Sequence, residues 1–171
     1  MHTTLEVLHN IWTNNTGLDK LKYLVKGVIW QVRKKYHHTF VTKIHTGGSI
    51  KVLPFSAYSP MFYFRWPESE ELLFIRKHKN LAPTLVDVGA NVGIFSLHLF
   101  DCFKNFYLFE PCPSTFQALQ ETCNLNPSVQ WHLFNIGVAD QPGFMSFLDE
   151  GKLSGTNRFC ATNVTSRSIP K

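Results

Sequence analysis

TLVDVGANVGIFSL, residues 84–97, is the stretch that decides the fold of this chain. It begins with a short apolar run around Asp87 and continues into a glycine-containing turn, which predicts a buried parallel strand that leads into a helix. A second apolar run, residues 106–109, ends directly before Glu110. The order of strand, turn, helix, strand and acid predicts half of a parallel sheet with a ligand site at its carboxyl edge.

Two glycines and one acid supply the chemistry of this edge. Gly89 and Gly93 have no Cβ, so the backbone can pass close to a ligand there, while the free N–H groups of the new helix point toward that ligand. Glu110 follows the second strand, where its carboxylate can accept hydrogen bonds from both hydroxyls of a ribose. We therefore expect a nucleoside-binding half-sheet.

The spacing of the glycines indicates which nucleoside fits. A dinucleotide fold needs G-x-G-x-x-G, because the pyrophosphate lies directly on the helix N-terminus. This chain has D-x-G-x-x-x-G instead, with Asp87 on the strand before the turn. An acid in that place repels a phosphate and attracts a cationic group, and S-adenosylmethionine carries both an ammonium and a sulfonium. The same spacing disfavours a nicotinamide-dependent enzyme.

Three motifs in order resemble the FkbM-type S-adenosylmethionine-dependent methyltransferases. They are DVGANVG at residues 87–93, FEP at residues 109–111 and NIGVAD at residues 135–140, and the resemblance extends from about Ile44 to the end. Asn91 stands where the wider methyltransferase superfamily often has glycine, and the FkbM-type pattern tolerates this asparagine.

The resemblance implies an α/β protein with a Rossmann-like class I methyltransferase fold. Its expected form is the first half of a doubly wound parallel sheet, with an N-terminal helix and a β-hairpin. The implied cofactor is S-adenosyl-L-methionine, and the implied reaction is O-methylation of a glycan, a lipid or lipid-linked acceptor, or a small metabolite. The implied cofactor-binding residues are Asp87, Gly89, Ala90, Asn91, Gly93, Glu110, Asn135 and Gly137, with Asn135 near the base.

A catalytic base is not assigned. Methyl transfer needs positioning above all, with a base where the nucleophile is a hydroxyl. His98, His132 and Asp149 are candidates by their chemistry alone, and histidines on a helix face or in a strand are more often packing residues.

The expected activity also depends on how much of the domain is present. FkbM-type enzymes continue with a strand that carries an acidic D-x-E-G-like motif, which no residue here matches. Residues 168–171 resemble a linker inside a domain, so we expect a partial chain that is inactive alone. The alternative is a non-catalytic remnant or interaction module that keeps half of the cofactor-binding fold.

Charge divides the chain into two parts. Residues 1–51 hold eight Lys and Arg against two acids, a net charge of +6, while the remainder holds nine against ten, a net charge of −1. We expect a basic amphipathic helix plus a β-hairpin in residues 1–54 and the partial methyltransferase domain in residues 55–171. The apolar positions of the helix recur at helical spacing at Leu18, Leu21, Val25, Val28, Val32 and Tyr36.

Two interpretations of this basic helix remain open. In one, the helix meets an anionic membrane surface or an acidic glycan carrier. In the other, which we favour, its apolar face docks on its own domain and its basic face is solvated. Nucleic acid is not expected as a partner, because no groove-reading motif accompanies the charge.

The remaining elements follow from turn signals and periodicity. A Gly-Gly turn at residues 47–48 predicts a hairpin between strands at residues 40–44 and 49–53. Helices are expected at about residues 67–79 and 113–125, a strand at residues 129–134, and an antiparallel pair at residues 144–148 and 158–164. The aromatic cluster in residues 55–66 is expected in the core.

Composition sets the broad class of the protein. With 171 residues, of which 44% are hydrophobic and 17% charged, the chain has the composition of about one globular domain. No run approaches the roughly 18 apolar residues of a membrane span, and the N-terminus lacks a signal peptide, so a cytoplasmic location is expected. The four cysteines have neither C-x-x-C spacing nor a histidine at metal-ligand spacing, which predicts free thiols.

Overall fold

The computed structural model of the chain describes residues 8–9, 11–13, 17, 19–52, 70–141, 143–148, 158–159 and 167–170. In chain order its elements are α1 (Asp19–Lys35), β1 (Phe40–Lys43), β2 (Ser49–Val52), α2 (Glu70–His78), a 3-10 turn (Lys79–Leu81), β3 (Thr84–Val88), α3 (Ile94–His98), β4 (Asn105–Phe109), α4 (Pro113–Asn124), β5 (Gln130–Phe134), β6 (Phe144–Leu148), β7 (Arg158–Phe159) and β8 (Arg167–Pro170). The protein is therefore a mixed α/β structure.

A three-stranded parallel sheet, in the order β3-β4-β5, lies at the centre. Parallel neighbours need a crossover connection, and here α3 and α4 provide the two crossovers. The predicted alternation of strands and helices is confirmed. The strands are in register, so that Val88, Phe109 and Phe134 end side by side at the carboxyl edge.

The two faces of this sheet differ in exposure. One face carries Phe106 and Leu108, which are fully buried and pack in a core cluster with Leu99 and Leu119. On the other face, Val86 is 60% exposed. The neighbouring aromatic rings on that face stack on one another across the strands at centroid distances of 4.3 to 4.8 Å, in the pairs Tyr107–His132 and Phe109–Phe134.

The β-hairpin of β1 and β2 is antiparallel and closes as the sequence predicts. Gly47 turns the chain with φ +91°, a backbone conformation that favours glycine, and the N–H of Ile44 donates to the carbonyl of Gly48 at 2.8 Å. The Thr46 hydroxyl donates to the carbonyl of Leu97 at 2.6 Å. The hairpin turn is thereby fixed against the helix that follows the first parallel strand.

One buried side chain, Asn126, attaches the hairpin to the end of α4. Its Oδ1 accepts the N–H of Ser49 at 2.6 Å, and its Nδ2 donates to the carbonyls of Ser49 and Thr122, both at 2.7 Å. An exposed ion pair between Lys51 and Glu121, 2.9 Å apart, lies nearby. Because exposed ion pairs contribute little, the amide carries most of this attachment.

The helix α1 docks on the domain, but not through the face that its periodicity predicts. Tyr23, Gly27 and Trp30 are buried, and the two aromatic rings join a core cluster with Ile11, Ile50, Val52, Val92 and Leu97. The predicted apolar face, from Leu21 to Tyr36, points outward, and Leu18 lies outside the described residues. Large aromatic rings bury more area than aliphatic side chains, which favours docking through Tyr23 and Trp30.

The last three strands form a second, antiparallel sheet in the order β7-β6-β8. The expected pairing of residues 144–148 with the strand that begins at Arg158 is confirmed, although only residues 158–159 of that strand are described. Residues 168–170, which we expected to belong to a linker, instead lie in β8 (Arg167–Pro170), which pairs with β6; Lys171 lies outside the described residues. The four-residue sequence of β8, RSIP, has no clear alternation of apolar and polar residues, so it did not predict this pairing.

Several expected features lie outside the described residues, namely the aromatic cluster of residues 55–66, the helix start at residues 67–69 and Asp149. None of the helices that the structure describes combines the length and the apolar character that crossing a membrane requires.

Candidate functional site

The predicted ligand site lies where the three parallel strands end. Gly89, Glu110 and Asn135 are the first residues after β3, β4 and β5, and the register places them at one edge. The N–H of Gly89 donates to the carbonyl of Phe109 at 2.9 Å, and the N–H of Glu110 donates to the carbonyl of Phe134 at 3.0 Å. The sequence therefore predicted correctly which loops would meet.

The loop between β3 and α3 has three residues with a left-handed backbone. Their φ angles are +83° at Gly89, +51° at Asn91 and +86° at Gly93. Asparagine tolerates this conformation better than most residues because its short side chain bonds locally, and here Asn91 Oδ1 accepts the N–H of Val92 at 2.8 Å. This local bond stabilises the left-handed backbone at Asn91.

The two glycines of the loop have different roles. A Cβ on Gly89 would meet no heavy atom within 4 Å, so this residue borders open space. A Cβ on Gly93 would lie 3.0 Å from Cδ1 of Leu119, so its small size serves the packing of the loop on α4. We expected both glycines to give a ligand access to the backbone, and the space around them fits that role at Gly89.

Glu110 holds the loop through its carboxylate. Oε2 accepts the N–H of Asn91 at 3.0 Å, and Oε1 accepts the N–H of Cys112 at 2.8 Å, while the residue is only 6% exposed. Burial raises the pKa of Glu110; the two backbone donors oppose this effect, and the nearby charge of Asp87 adds to it. The acid thus joins the turn after β3 to the turn after β4.

Asp87 is the second acid of the site. The hydroxyl of Ser96 donates to its Oδ2 at 2.7 Å. Burial raises the pKa of Asp87, and the hydrogen bond from Ser96 opposes the shift. Because Asp87 also raises the pKa of Glu110, the two acids repel each other when both are ionised. The edge is therefore acidic, and a cation near it would be stabilised.

The raised pKa of Asp87 leads to a prediction about stability. A carboxyl whose pKa is higher in the folded chain contributes most below about pH 4, and this contribution is lost as the pH rises through the folded value. We expect Asp87→Asn to gain stability relative to wild type between pH 4 and pH 8, measured by urea unfolding at each pH.

Asp101→Asn is the control with the opposite sign. Burial alone would raise the pKa of Asp101, but the hydrogen bond and charge of the Arg76 guanidinium, 3.0 Å away, outweigh burial and lower it. This variant should lose stability relative to wild type as the pH rises from about 3 to 7. The same trend in both variants would contradict the assignment of the Asp87 shift to burial.

The structure also describes three other residues that we expected to bind the cofactor, namely Asn135, Ala90 and Gly137. The Asn135 Nδ2 donates to the carbonyls of Glu110 and Pro111 at 2.8 and 3.2 Å, so its amide joins the turns after β4 and β5. Ala90 is buried, with its N–H donating to the carbonyl of Phe109 and its side chain in the core. Gly137 is also buried.

The two histidine candidates are both in packed surroundings. His98 is 2% exposed, and its ring lies 5.2 Å from that of His45. His132 stacks on Tyr107 in the middle of β5. Neither histidine belongs to the hydrogen-bonded edge formed by Asp87 and Glu110, so a base stays unassigned.

Sequence reasoning missed two contributors to the site, Ser96 and the backbone N–H of Cys112. Ser96 lies nine residues after the acid it contacts, and only the observed bend of the loop brings the two together. The Cys112 N–H lies two residues after Glu110, a local spacing that the turn at Pro111 produces. Within the described residues, no three His, Cys, Asp or Glu side chains are arranged to hold a metal ion.

Comparison with known proteins adds no family assignment. No protein-family model matches the chain, and no curated protein matches its sequence.

Proposed function

We propose that the chain is the cofactor-binding part of an S-adenosylmethionine-dependent methyltransferase of FkbM type, with the first half of a Rossmann-like class I sheet. In this proposal Glu110 accepts hydrogen bonds from the ribose hydroxyls, Asp87 faces the cationic amino-acid end, and the turn at Gly89 borders the cofactor. The amide of Asn135 lies near the base.

The observation that carries the proposal is the position of Glu110. It follows the middle strand of the parallel sheet, and its carboxylate is tied to the glycine loop of the neighbouring strand through Asn91. Each carboxylate oxygen has a further lone pair beyond the one that accepts a backbone N–H, so the acid retains capacity for two hydroxyl donors. Carboxyl edges of parallel strands are where such folds bind nucleosides.

The electrostatics of the edge support a cationic ligand. Burial raises the pKa of both Asp87 and Glu110, and the charge of Asp87 adds to the increase at Glu110 because the two carboxylates repel each other. An ammonium or sulfonium at the edge would offset that repulsion, whereas a phosphate would add to it. This supports the proposal of S-adenosylmethionine over a dinucleotide.

The reaction would be an in-line displacement. An acceptor oxygen attacks the methyl carbon, the carbon–sulfur bond breaks, and the sulfur keeps the electron pair as S-adenosylhomocysteine forms. Most of the rate comes from holding the acceptor and the methyl group in line. A glycan, a lipid-linked molecule or a small metabolite with a hydroxyl is the proposed acceptor.

Calorimetric titration of S-adenosylhomocysteine into the 171-residue chain tests the proposal. We expect micromolar binding, weaker binding of 5′-methylthioadenosine, which lacks the ammonium, and none of the dinucleotide NAD. Asp87→Asn should weaken S-adenosylhomocysteine binding and leave methylthioadenosine binding unchanged, because only the first ligand carries the cation. NAD binding at equal affinity would refute the cofactor assignment.

A non-catalytic interaction module is the second candidate function. The observation that favours it is the exposed face of the parallel sheet, where Val86 and Val88 are both more than half exposed. Parallel sheets are usually covered on both faces, so such a surface suits a binding partner. Absence of S-adenosylhomocysteine binding in a folded chain would favour this alternative.

A cytoplasmic location belongs to the proposal as well. Cys102, Cys112 and Cys123 are free thiols. Disulfides form and persist in oxidising compartments, so free cysteines, one of them partly exposed, support a reducing one.

A further inference from the structure

The outward side of α1 is a continuous apolar surface. We use the term outward stripe for a set of six exposed apolar side chains on this side of the helix: Leu21, Leu24, Val25, Val28, Ile29 and Val32. At 3.6 residues per turn they cover an arc of about 140°. An apolar stripe of that width normally faces a protein core, whereas here the core contacts come from Tyr23 and Trp30 on the opposite side.

The charge around the outward stripe is strongly positive. Six Lys and Arg stand against one Asp in α1, a net charge of +5. When the helix is viewed down its axis, the exposed Lys22 lies just beyond one border of the stripe, and the exposed Lys35 lies within the arc, near the opposite border. Lysines in such border positions can extend their ammonium groups toward anionic headgroups while their methylenes cover apolar surface.

We propose that α1 lies on an anionic lipid surface, with the outward stripe inserted between the lipids and the bordering lysines bound to their headgroups. The helix has 17 residues, so it would extend about 25 Å along the surface. This combination of a wide apolar face and flanking cations is the pattern of interfacial helices. The proposal does not depend on the cofactor site.

Charge favours a lipid surface over a second copy of the chain. A two-fold contact between two outward stripes would bring together two helices that each carry a net charge of +5. Their repulsion opposes such a dimer at low salt, whereas an anionic surface attracts the same charges.

Co-sedimentation of the 171-residue chain with vesicles tests the proposal. One set of vesicles is phosphatidylcholine alone, and the other contains added phosphatidylserine. We expect binding to the anionic set, little to the neutral set, and a steep loss as salt is raised. Equal binding to both sets of vesicles, or binding to neither set, would overturn the proposal. This part of the test uses the wild-type chain alone.

Two double variants separate the contributions of the stripe and the charge. Val25→Asn with Val28→Asn should lower the partition onto anionic vesicles at least about tenfold, since two apolar groups no longer insert. Lys22→Gln with Lys35→Gln should lower it about 25-fold, because each lysine near the surface contributes about a fivefold factor. Both pairs nearly conserve helix propensity, so α1 should stay folded.

Matched controls lie elsewhere on the surface. Leu81→Asn and Lys77→Gln alter exposed residues near α2 and should leave vesicle binding unchanged. Retained binding in the Val25→Asn, Val28→Asn variant would overturn the insertion of the stripe. A wild-type dimer in analytical ultracentrifugation that this variant converts to a monomer would assign the stripe to a second copy and also overturn the proposal.

Discussion

Glu110→Ala is expected to weaken binding of S-adenosylhomocysteine by about 30-fold. A hydrogen bond to a charged acceptor contributes about 2 kcal/mol, which corresponds to that factor. Two effects add in the same direction: the ribose loses its acceptor, and the N–H groups of Asn91 and Cys112 lose theirs, so the glycine loop is held less firmly. Calorimetry with both proteins gives the ratio of affinities directly.

A ligand variant separates the direct role of Glu110 from its support of the loop. An analogue of S-adenosylhomocysteine without the ribose hydroxyls should bind wild type more weakly, and Glu110→Ala should weaken its binding less than that of S-adenosylhomocysteine, because only the loosened loop then contributes. A ribose contact predicts this non-additivity, whereas a purely structural acid would weaken both ligands equally. Glu121→Ala, on the exposed side of α4, is the matched control and should bind as wild type does.

Asn126→Ala is expected to lower the free energy of unfolding by about 3 kcal/mol. The substitution leaves the N–H and carbonyl of Ser49 and the carbonyl of Thr122 without their present partner, and each buried group left unpaired costs about 1–3 kcal/mol. Partial access of water at the hairpin edge reduces the sum. For a domain with a total stability of about 5–15 kcal/mol, this is a large fraction.

Urea unfolding measures this loss, with Asn124→Ala as the matched control. Asn124 is exposed at the end of α4, so its removal should change stability by less than about 0.5 kcal/mol. Thr46 still holds the hairpin turn in the Asn126 variant through its bond to Leu97. Equal stability of the two asparagine variants would show that the hairpin does not depend on this amide.

Local sequence patterns predicted the parallel sheet well, because its signals are local. The run at residues 84–88 has an apolar composition, a glycine turn and a following helix, and these are properties of neighbouring residues. The acid after β4 and the amide after β5 were placed at the same edge because parallel strands end together. That inference used topology and needed no knowledge of side-chain contacts.

Contacts between distant segments were not predictable in the same way. Periodicity showed that α1 has an apolar stripe, but the burial of Tyr23 and Trp30 depends on what the hairpin and α3 offer as a partner. Asn126 looked like part of a helix stop, and its bonds to Ser49 cross 77 residues of sequence. Gly93 likewise packs on Leu119, a contact that the loop motif does not specify.

The long separation between Ser49 and Asn126 also matters while the chain is being made. At about 5–20 residues per second, the ribosome needs roughly 4–15 s to add the residues between them. During that time the hairpin lacks its anchor, and until residue 97 has been added Tyr23 and Trp30 also lack Val92 and Leu97. Both sides of α1 are then open to water, so the nascent chain exposes more apolar surface than the folded protein does.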